Sequence, residues 1–171
     1  MTALDFLYEL KKHIESNVCA KLEFQAENSE EYVNPKCYIA QLPNPNFTLD
    51  GFSIPCVTVG LETGDDNAND HIIKIRLIFA TFGGGYHLDG MENKTDLPDG
   101  NGYVDLLNFI ELTKQALLEN PTMNGKGTID KSFNYGVYDD MPYPYWYGHL
   151  RFDVNIPTND YILNYEREGF L

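Results

Sequence analysis

Residues 142–157 read Pro-Tyr-Pro-Tyr-Trp-Tyr-Gly-His-Leu-Arg-Phe-Asp-Val-Asn-Ile-Pro, and this stretch decides the fold class. Apolar and polar residues alternate up to the closing proline, a period of two that predicts a strand with one buried and one solvated face. A second run, residues 71–82, has the same period. The side chains expected on the buried faces are Trp146, Leu150, Phe152, Val154 and Ile156 in the first run, with Gly148 among them, and Ile73, Ile75, Leu77 and Phe79 in the second.

The rest of the chain predicts two helices and several shorter strands. One helix is expected from Thr2 to about Asn17, with Thr2 and Asp5 in capping-box spacing, and a second from about Tyr103 to Glu119. Further strands are expected within residues 21–26, 37–42, 56–61 and 127–137, and the 56–61 and 71–82 strands are expected to form an antiparallel hairpin around a loop at 64–70.

These elements predict one α+β domain that spans residues 1–171. Its simplest form is a single antiparallel or mixed β-sheet with two main helices packed on one face, because that arrangement buries the apolar stripes of both helices. Residues 83–102 are expected to form a long irregular loop, and residues 160–171 a C-terminal arm or short helix.

The composition excludes several classes of function. Twelve basic and 26 acidic residues give a net charge of −14, which repels phosphate backbones and predicts no sequence-specific nucleic-acid partner. A basic protein surface is the partner that such a charge favours. The chain has no apolar run of membrane-spanning length and no basic N-terminal region, so neither a membrane partner nor a secretory signal is expected. Its three cysteines lack metal-site spacing and are expected to be reduced, mostly buried thiols.

Residues 97–108 resemble a calcium-binding EF-hand loop in part. Asp99, Asn101 and Asp105 fall at loop positions that suit calcium ligands, but Leu97 and Asn108 occupy the first and last positions, where carboxylates are needed. The pattern therefore favours a turn that caps the second helix. Asp99, Asn101 and Asp105 remain the candidate metal ligands.

No motif in the chain predicts catalysis. The four histidines have no metal-site spacing, and the glycines at 83–85 are followed by no Lys-Ser or Lys-Thr pair. The chain is accordingly expected not to be an enzyme and to need no cofactor. A hydrolase that uses a buried cysteine and a histidine is an alternative left open, and its thiol would react faster than free cysteine.

Tyrosines crowd the last predicted hairpin on both of its faces. Aromatic residues of this kind are more typical of a core or a protein interface than of a carbohydrate site, although a carbohydrate-binding module stays an alternative. The residues predicted to form an interface are Asp65 and Asp66 in the acidic loop, and Tyr143, Tyr145 and Tyr147 in the aromatic strand.

Three stretches carry a resemblance to a known family. They are a strand entered through proline at residues 54–59 (Ile-Pro-Cys-Val-Thr-Val), a helix start at 102–107 (Gly-Tyr-Val-Asp-Leu-Leu), and the closing strand at 144–157. In this order the chain resembles the tail terminator and tail-completion proteins of long-tailed bacteriophages. It departs from them in residues 28–50 and in its tyrosine-rich tail.

The resemblance implies a structural protein without catalytic residues. Proteins of this kind form a homo-oligomeric, hexameric ring that caps the tail tube, stops its polymerisation and forms part of the head-tail joint. The implied partners are further copies of the chain and the phage tail-tube and neck proteins. The implied location is the bacterial cytoplasm during virion assembly and then the virion. Other neck and head-completion proteins have similar small α+β folds and remain alternatives, as does a calcium- or carbohydrate-binding module.

Overall fold

The helices and strands were located in a computed structural model, which describes residues 2–44, 46, 48–67, 70–83 and 101–157. The described residues form two α-helices and eight strands. In chain order they are α1 (Ala3–Asn17), β1 (Phe24–Gln25), β2 (Tyr32–Val33), β3 (Lys36–Ile39), β4 (Cys56–Asp66), β5 (His71–Phe82), α2 (Asn101–Glu119), β6 (Thr128–Ile129), β7 (Asn134–Val137) and β8 (Tyr145–Ile156). Most of the predicted loop at 83–102 and all of the predicted arm at 160–171 lie outside the described residues.

One sheet of mixed direction organises the fold. Its strand order is β3-β4-β5-β8-β6, and β7 also pairs with β8. β3 runs parallel to β4, whereas β4, β5 and β8 are antiparallel to one another. β6 and β7 follow each other along the outer edge of β8, with Ile129 opposite Val154 and Asn134 opposite Arg151. The predicted α+β class and mixed sheet are confirmed.

Both helices pack on the same face of this sheet. The alternation predicted from sequence directs the apolar side chains of β5 and β8 into one core, in which Leu77, Phe79 and Leu150 are fully buried. Phe109 of α2 meets Phe79 edge-on, with ring centroids 4.9 Å apart. Trp146 lies on this face as predicted and packs against the core, although it is only half-buried, and it contacts the ring of Tyr103.

The predicted capping box begins α1. The backbone N–H of Asp5 donates to Thr2 Oγ1 at 3.2 Å, and the backbone N–H of Thr2 donates to Asp5 Oδ2 at 2.8 Å. These bonds satisfy two amide groups that a helix start leaves without partners. The bonds from Thr2 lower the pKa of Asp5, as expected for a carboxylate that accepts hydrogen bonds.

Several predicted boundaries were wrong. β4 continues to Asp66, well beyond the predicted end at 61, so only residues 67–70 connect β4 to β5, and the N–H of Asn67 donates to the carbonyl of Asp70 at 2.9 Å. The polar residues of this extension gave no strand pattern, and pairing with β5 holds them in the sheet. The single strand predicted at 127–137 is interrupted between β6 and β7. α2 begins at Asn101, inside the predicted loop.

Candidate interaction surface on the open face of the sheet

The face of the sheet opposite the helices is covered by no described helix. Alternate side chains of β4, β5 and β8 point to this face, because neighbouring residues of a strand point to opposite sides. We call it the open face. It has an aromatic half, formed by Ile54, Cys56, Ala80, Phe82, Tyr38, Tyr145 and Tyr147. Its charged half is formed by Glu62, Lys74, Arg76, His149, Arg151 and Asp153, which follow the aromatic half along the strands.

The aromatic half is a packed layer of rings. Tyr145 stacks on Tyr147, with centroids 6.4 Å apart and planes 17° apart, and meets Phe82 edge-on at 5.4 Å. The hydroxyl of Tyr145 donates to Glu27 Oε2 across 3.5 Å. Burial raises the pKa of both Tyr145 and Tyr147, so both phenols stay protonated at neutral pH. This half of the face therefore presents apolar rings and hydroxyl donors.

Two arginines lie directly opposite each other in the charged half. Arg76 of β5 pairs in register with Arg151 of β8. Arg151 Nε lies 3.2 Å from Glu62 Oε2, which makes an ion pair by distance, but both atoms are buried and have no hydrogen-bond partner. Arg76 forms no ion pair with any described residue. Glu62 supplies one negative charge against the two positive charges of the arginines, so the pair is incompletely neutralised. Like charges that face each other across a sheet are destabilising.

His149 lies beside the arginine pair. Its ring lies 5.3 Å from that of Tyr138, and its Nδ1 atom is buried without a hydrogen-bond partner among the described residues. Burial lowers the pKa of His149, and the positive charges of Arg151 and Arg76 lower it further, against the opposing effect of Glu62. The imidazole is therefore neutral at pH 7, and the arginines supply the positive charge there.

The β4–β5 hairpin ends in an exposed acidic tip with a free edge. β3 pairs only with residues 56–59 of β4, so no described strand lies beside the outer edge of residues 60–66. The register shifts between Leu61 and Thr63, where Glu62 forms a bulge. Asp65, Asp66 and Asp70 are exposed and form no ion pair with a described residue. We call these three residues the acidic tip.

The sheet separates the two groups of predicted interface residues. Asp66 is opposite His71 at one end of β5, whereas Tyr145 is opposite Phe82 at the other end. At about 3.4 Å per residue, the two groups are roughly 35 Å apart. Asp65 lies beside Asp66, and Tyr147 lies beside Tyr145 on the open face. Tyr143, just before β8, is 48% exposed.

Two of the three candidate calcium ligands are among the described residues, and both lie on a helix. Asn101 and Asp105 fall in the first turns of α2, and Asp99 lies outside the described residues. An EF-hand would hold the positions of Asn101 and Asp105 in its loop. Within the described ranges, no three His, Cys, Asp or Glu side chains are grouped to hold a metal ion. Calcium binding by these residues stays a prediction.

The three cysteines are free and buried, as the sequence predicted. Burial raises the pKa of Cys19 and of Cys56 to about 12, and it raises that of Cys37 as well. A nucleophilic cysteine has its pKa lowered, because the thiolate is the reactive form. The thiols consequently have the properties of apolar core residues, and the hypothesis of a cysteine hydrolase gains no support from them.

A polar cleft lies at the same end of the sheet as the aromatic half. It has a volume of ≈ 780 Å³ and is lined by residues 26–29, 31–34, 36 and 50–52. Glu27 is buried at its base and accepts hydrogen bonds from the backbone N–H groups of Ser53 and Ile54, at 2.6 and 3.2 Å. Tyr32, at the cleft, is 63% exposed. Lys36 pairs with Asp50 across 3.0 Å.

Sequence reasoning missed the arginine pair and Glu27. The alternation placed Arg76 and Arg151 on the polar faces of their strands, but only the register makes them neighbours. Glu27 lies between the strands predicted within residues 21–26 and 37–42, and its burial follows from the approach of residues 53 and 54, far along the chain. No local pattern signals either arrangement.

Comparison with protein-family models finds no match, and comparison with curated proteins finds no significantly similar sequence. In the described ranges, no helix has both the length and the hydrophobicity needed to cross a membrane.

Proposed function

We propose that this protein is a structural, ring-forming protein of the phage tail terminator type, which caps the tail tube and contributes to the head-tail joint. The observation that carries the proposal is the placement of two unlike surfaces on one sheet, the acidic tip and the open face. The tip lies at one end of β5, and the open face, with first its arginine pair and then its aromatic half, extends to roughly 35 Å from the tip along that strand. A head-to-tail ring needs two unlike patches on each subunit, one to give and one to receive each contact.

The free edge of β4 supports the same proposal. Residues 60–66 have backbone groups on the side away from β5 that no described strand engages, so a strand from a neighbouring chain can extend the sheet there. The acidic residues along this edge disfavour its pairing with an identical edge, because like charges would meet. A contact between unlike surfaces is thereby favoured over a symmetric dimer.

The experiment is native mass spectrometry of the purified protein over a range of concentrations, followed by electron microscopy of tail tubes mixed with it. The proposal predicts a six-subunit species, and rings at one end of each tube. Protein that stays monomeric both alone and in the presence of tubes would refute it.

A second candidate function is carbohydrate binding in the polar cleft. The exposed ring of Tyr32 and the amide and carboxylate groups around it are of the kinds that bind sugars. Thermal-shift measurements with a glycan panel test this candidate. It predicts a rise in melting temperature that Tyr32→Ala abolishes, and no rise with any glycan would exclude it. Tyr32→Phe, which keeps the ring, is the matched control.

A further inference from the structure

The charged half of the open face lacks part of the negative charge that it needs. Arg76 and Arg151 are directly opposed, and the only described carboxylate in ion-pair contact with them is Glu62. Arg151 Nε, Glu62 Oε2 beside it and His149 Nδ1 are all buried without hydrogen-bond partners among the described residues. Buried donors and acceptors of this kind are normally satisfied in a native assembly. Glu62 supplies one negative charge against the two guanidinium groups, so a further acidic group, from outside the described fold, would neutralise the remaining positive charge.

The acidic tip has the complementary property. Asp65, Asp66 and Asp70 are exposed and have no cationic partner among the described residues. Within one chain the tip does not face the arginines, because Asp65 is opposite Ile72, whereas Arg76 is opposite Gly60, four residues further along β5. That offset is about 14 Å along the strand. The acidic tip of a second copy is not held at this offset, so it can reach the arginines.

We propose that the acidic tip of one copy docks on the Arg76–Arg151 pair of the next copy, and that this contact joins the subunits head to tail. The inference rests on the proposed ring and names the surfaces that build it. Carboxylates and guanidinium groups form strong, directional pairs, so the contact would fix the orientation of the subunits as well as attract them. Because tip and receptor differ, each subunit gives one contact and receives one, as a closed ring requires.

The choice of a second copy as the occupant follows from charge. The chain carries −14 overall and has only three arginines, two of which meet at this point. A further copy therefore supplies exposed carboxylates, and its acidic tip lies at the end of the β4–β5 hairpin.

The first test is the variant Arg76→Glu. It places an acid opposite Arg151, so the isolated subunit is expected to stay folded and lose the repulsion between the two arginines. Association between copies is expected to weaken by about tenfold or more, since the acidic tip then meets an acidic side chain. The matched control is Lys12→Glu, which makes the same change of charge at an exposed position of α1 and should leave association unchanged.

A charge exchange provides the second test. The double variant Asp65→Lys/Asp66→Lys should not assemble alone, because its basic tip meets the arginines. Mixed in equal amounts with Arg76→Glu, it should recover rings in which the two variants alternate. Native mass spectrometry identifies such rings by mass, and alternation allows only even numbers of subunits.

The outcomes separate this inference from the proposed function. Rings of Arg76→Glu as stable as those of the wild type would overturn the docking contact and leave the ring itself standing. Failure of the mixture to recover assembly, with both variants folded, would also overturn it. A wild-type chain that forms no ring, alone or on tail tubes, would overturn both proposals.

Discussion

Replacing Glu27 with alanine removes the acceptor that holds two buried backbone amides. The side chain is 9% exposed, and its Oε1 atom accepts from the N–H groups of Ser53 and Ile54, whose residues are 0% and 2% exposed. These bonds hold the segment that leads into β4 against the end of β1, which pairs with β2 in a separate two-stranded antiparallel sheet. Without the carboxylate, neither amide has another described acceptor.

The loss can be sized from these two amides. A buried polar group left without a partner costs about 1–3 kcal/mol, so the two together cost about 2–6 kcal/mol. Water from the adjacent cleft can reach the vacated position, which favours the lower part of that range, about 2–4 kcal/mol. For a chain of this length, such a loss lowers the melting temperature by roughly 5–15 °C.

Urea unfolding of the wild type and Glu27→Ala measures this difference directly. Glu27→Gln keeps one oxygen acceptor without the charge and should lose about half as much, because hydrogen bonds to charged groups are about twice as strong. Glu31→Ala is the matched control, since Glu31 lines the same cleft but is exposed, and its change should stay within about 0.5 kcal/mol. If Glu27→Ala lost less than about 1 kcal/mol, the role assigned to Glu27 would be refuted.

Three further predictions concern single residues. Gly102→Ala should destabilise the fold by about 1–3 kcal/mol and shift the fluorescence of the only tryptophan, because a Cβ at Gly102 would overlap the Trp146 indole. Unchanged emission would contradict this packing. The control is Gly60→Ala, because a Cβ at Gly60 would meet nothing closer than Arg76 O at 3.7 Å. Because the pKa of His149 is lowered in the folded chain, the unfolded chain binds a proton there more readily than the folded one, and the free energy of unfolding should fall as the pH drops below about 6.5. In urea titrations His149→Gln should flatten that fall. An equally steep fall in the variant would show that His149 is not its cause. The three thiols, with raised pKa values, should react with a thiol reagent at pH 8 far more slowly in the folded chain than in urea; one fast-reacting thiol in the folded chain would revive the hydrolase hypothesis.

The fold class and the central strands were predictable because period-two alternation is a local property. The alternation at Leu150, Phe152 and Val154 correctly separated the buried face of β8 from its polar face. The capping box of Thr2 and Asp5 was equally readable, since it depends on two residues in one turn.

The interaction surface was not predictable, because it depends on register and strand order. Sequence alone does not specify that β3 lies parallel to β4, that Arg76 is opposite Arg151, or that β4 continues to Asp66. Each depends on contacts between residues that are distant in the chain. The predicted interface residues were chosen from two local patterns, and the structure places those patterns at opposite ends of the sheet.

The assembly of copies through the acidic tip and the arginine pair is best tested by native mass spectrometry of the wild type beside Arg76→Glu, because it counts the subunits in each assembly. We expect a six-subunit ring for the wild type and, under the same conditions, a folded variant whose assembly is weaker by about tenfold or more. A wild type that remains monomeric even with tail tubes would contradict the ring, and an intact variant ring would contradict the contact proposed to build it.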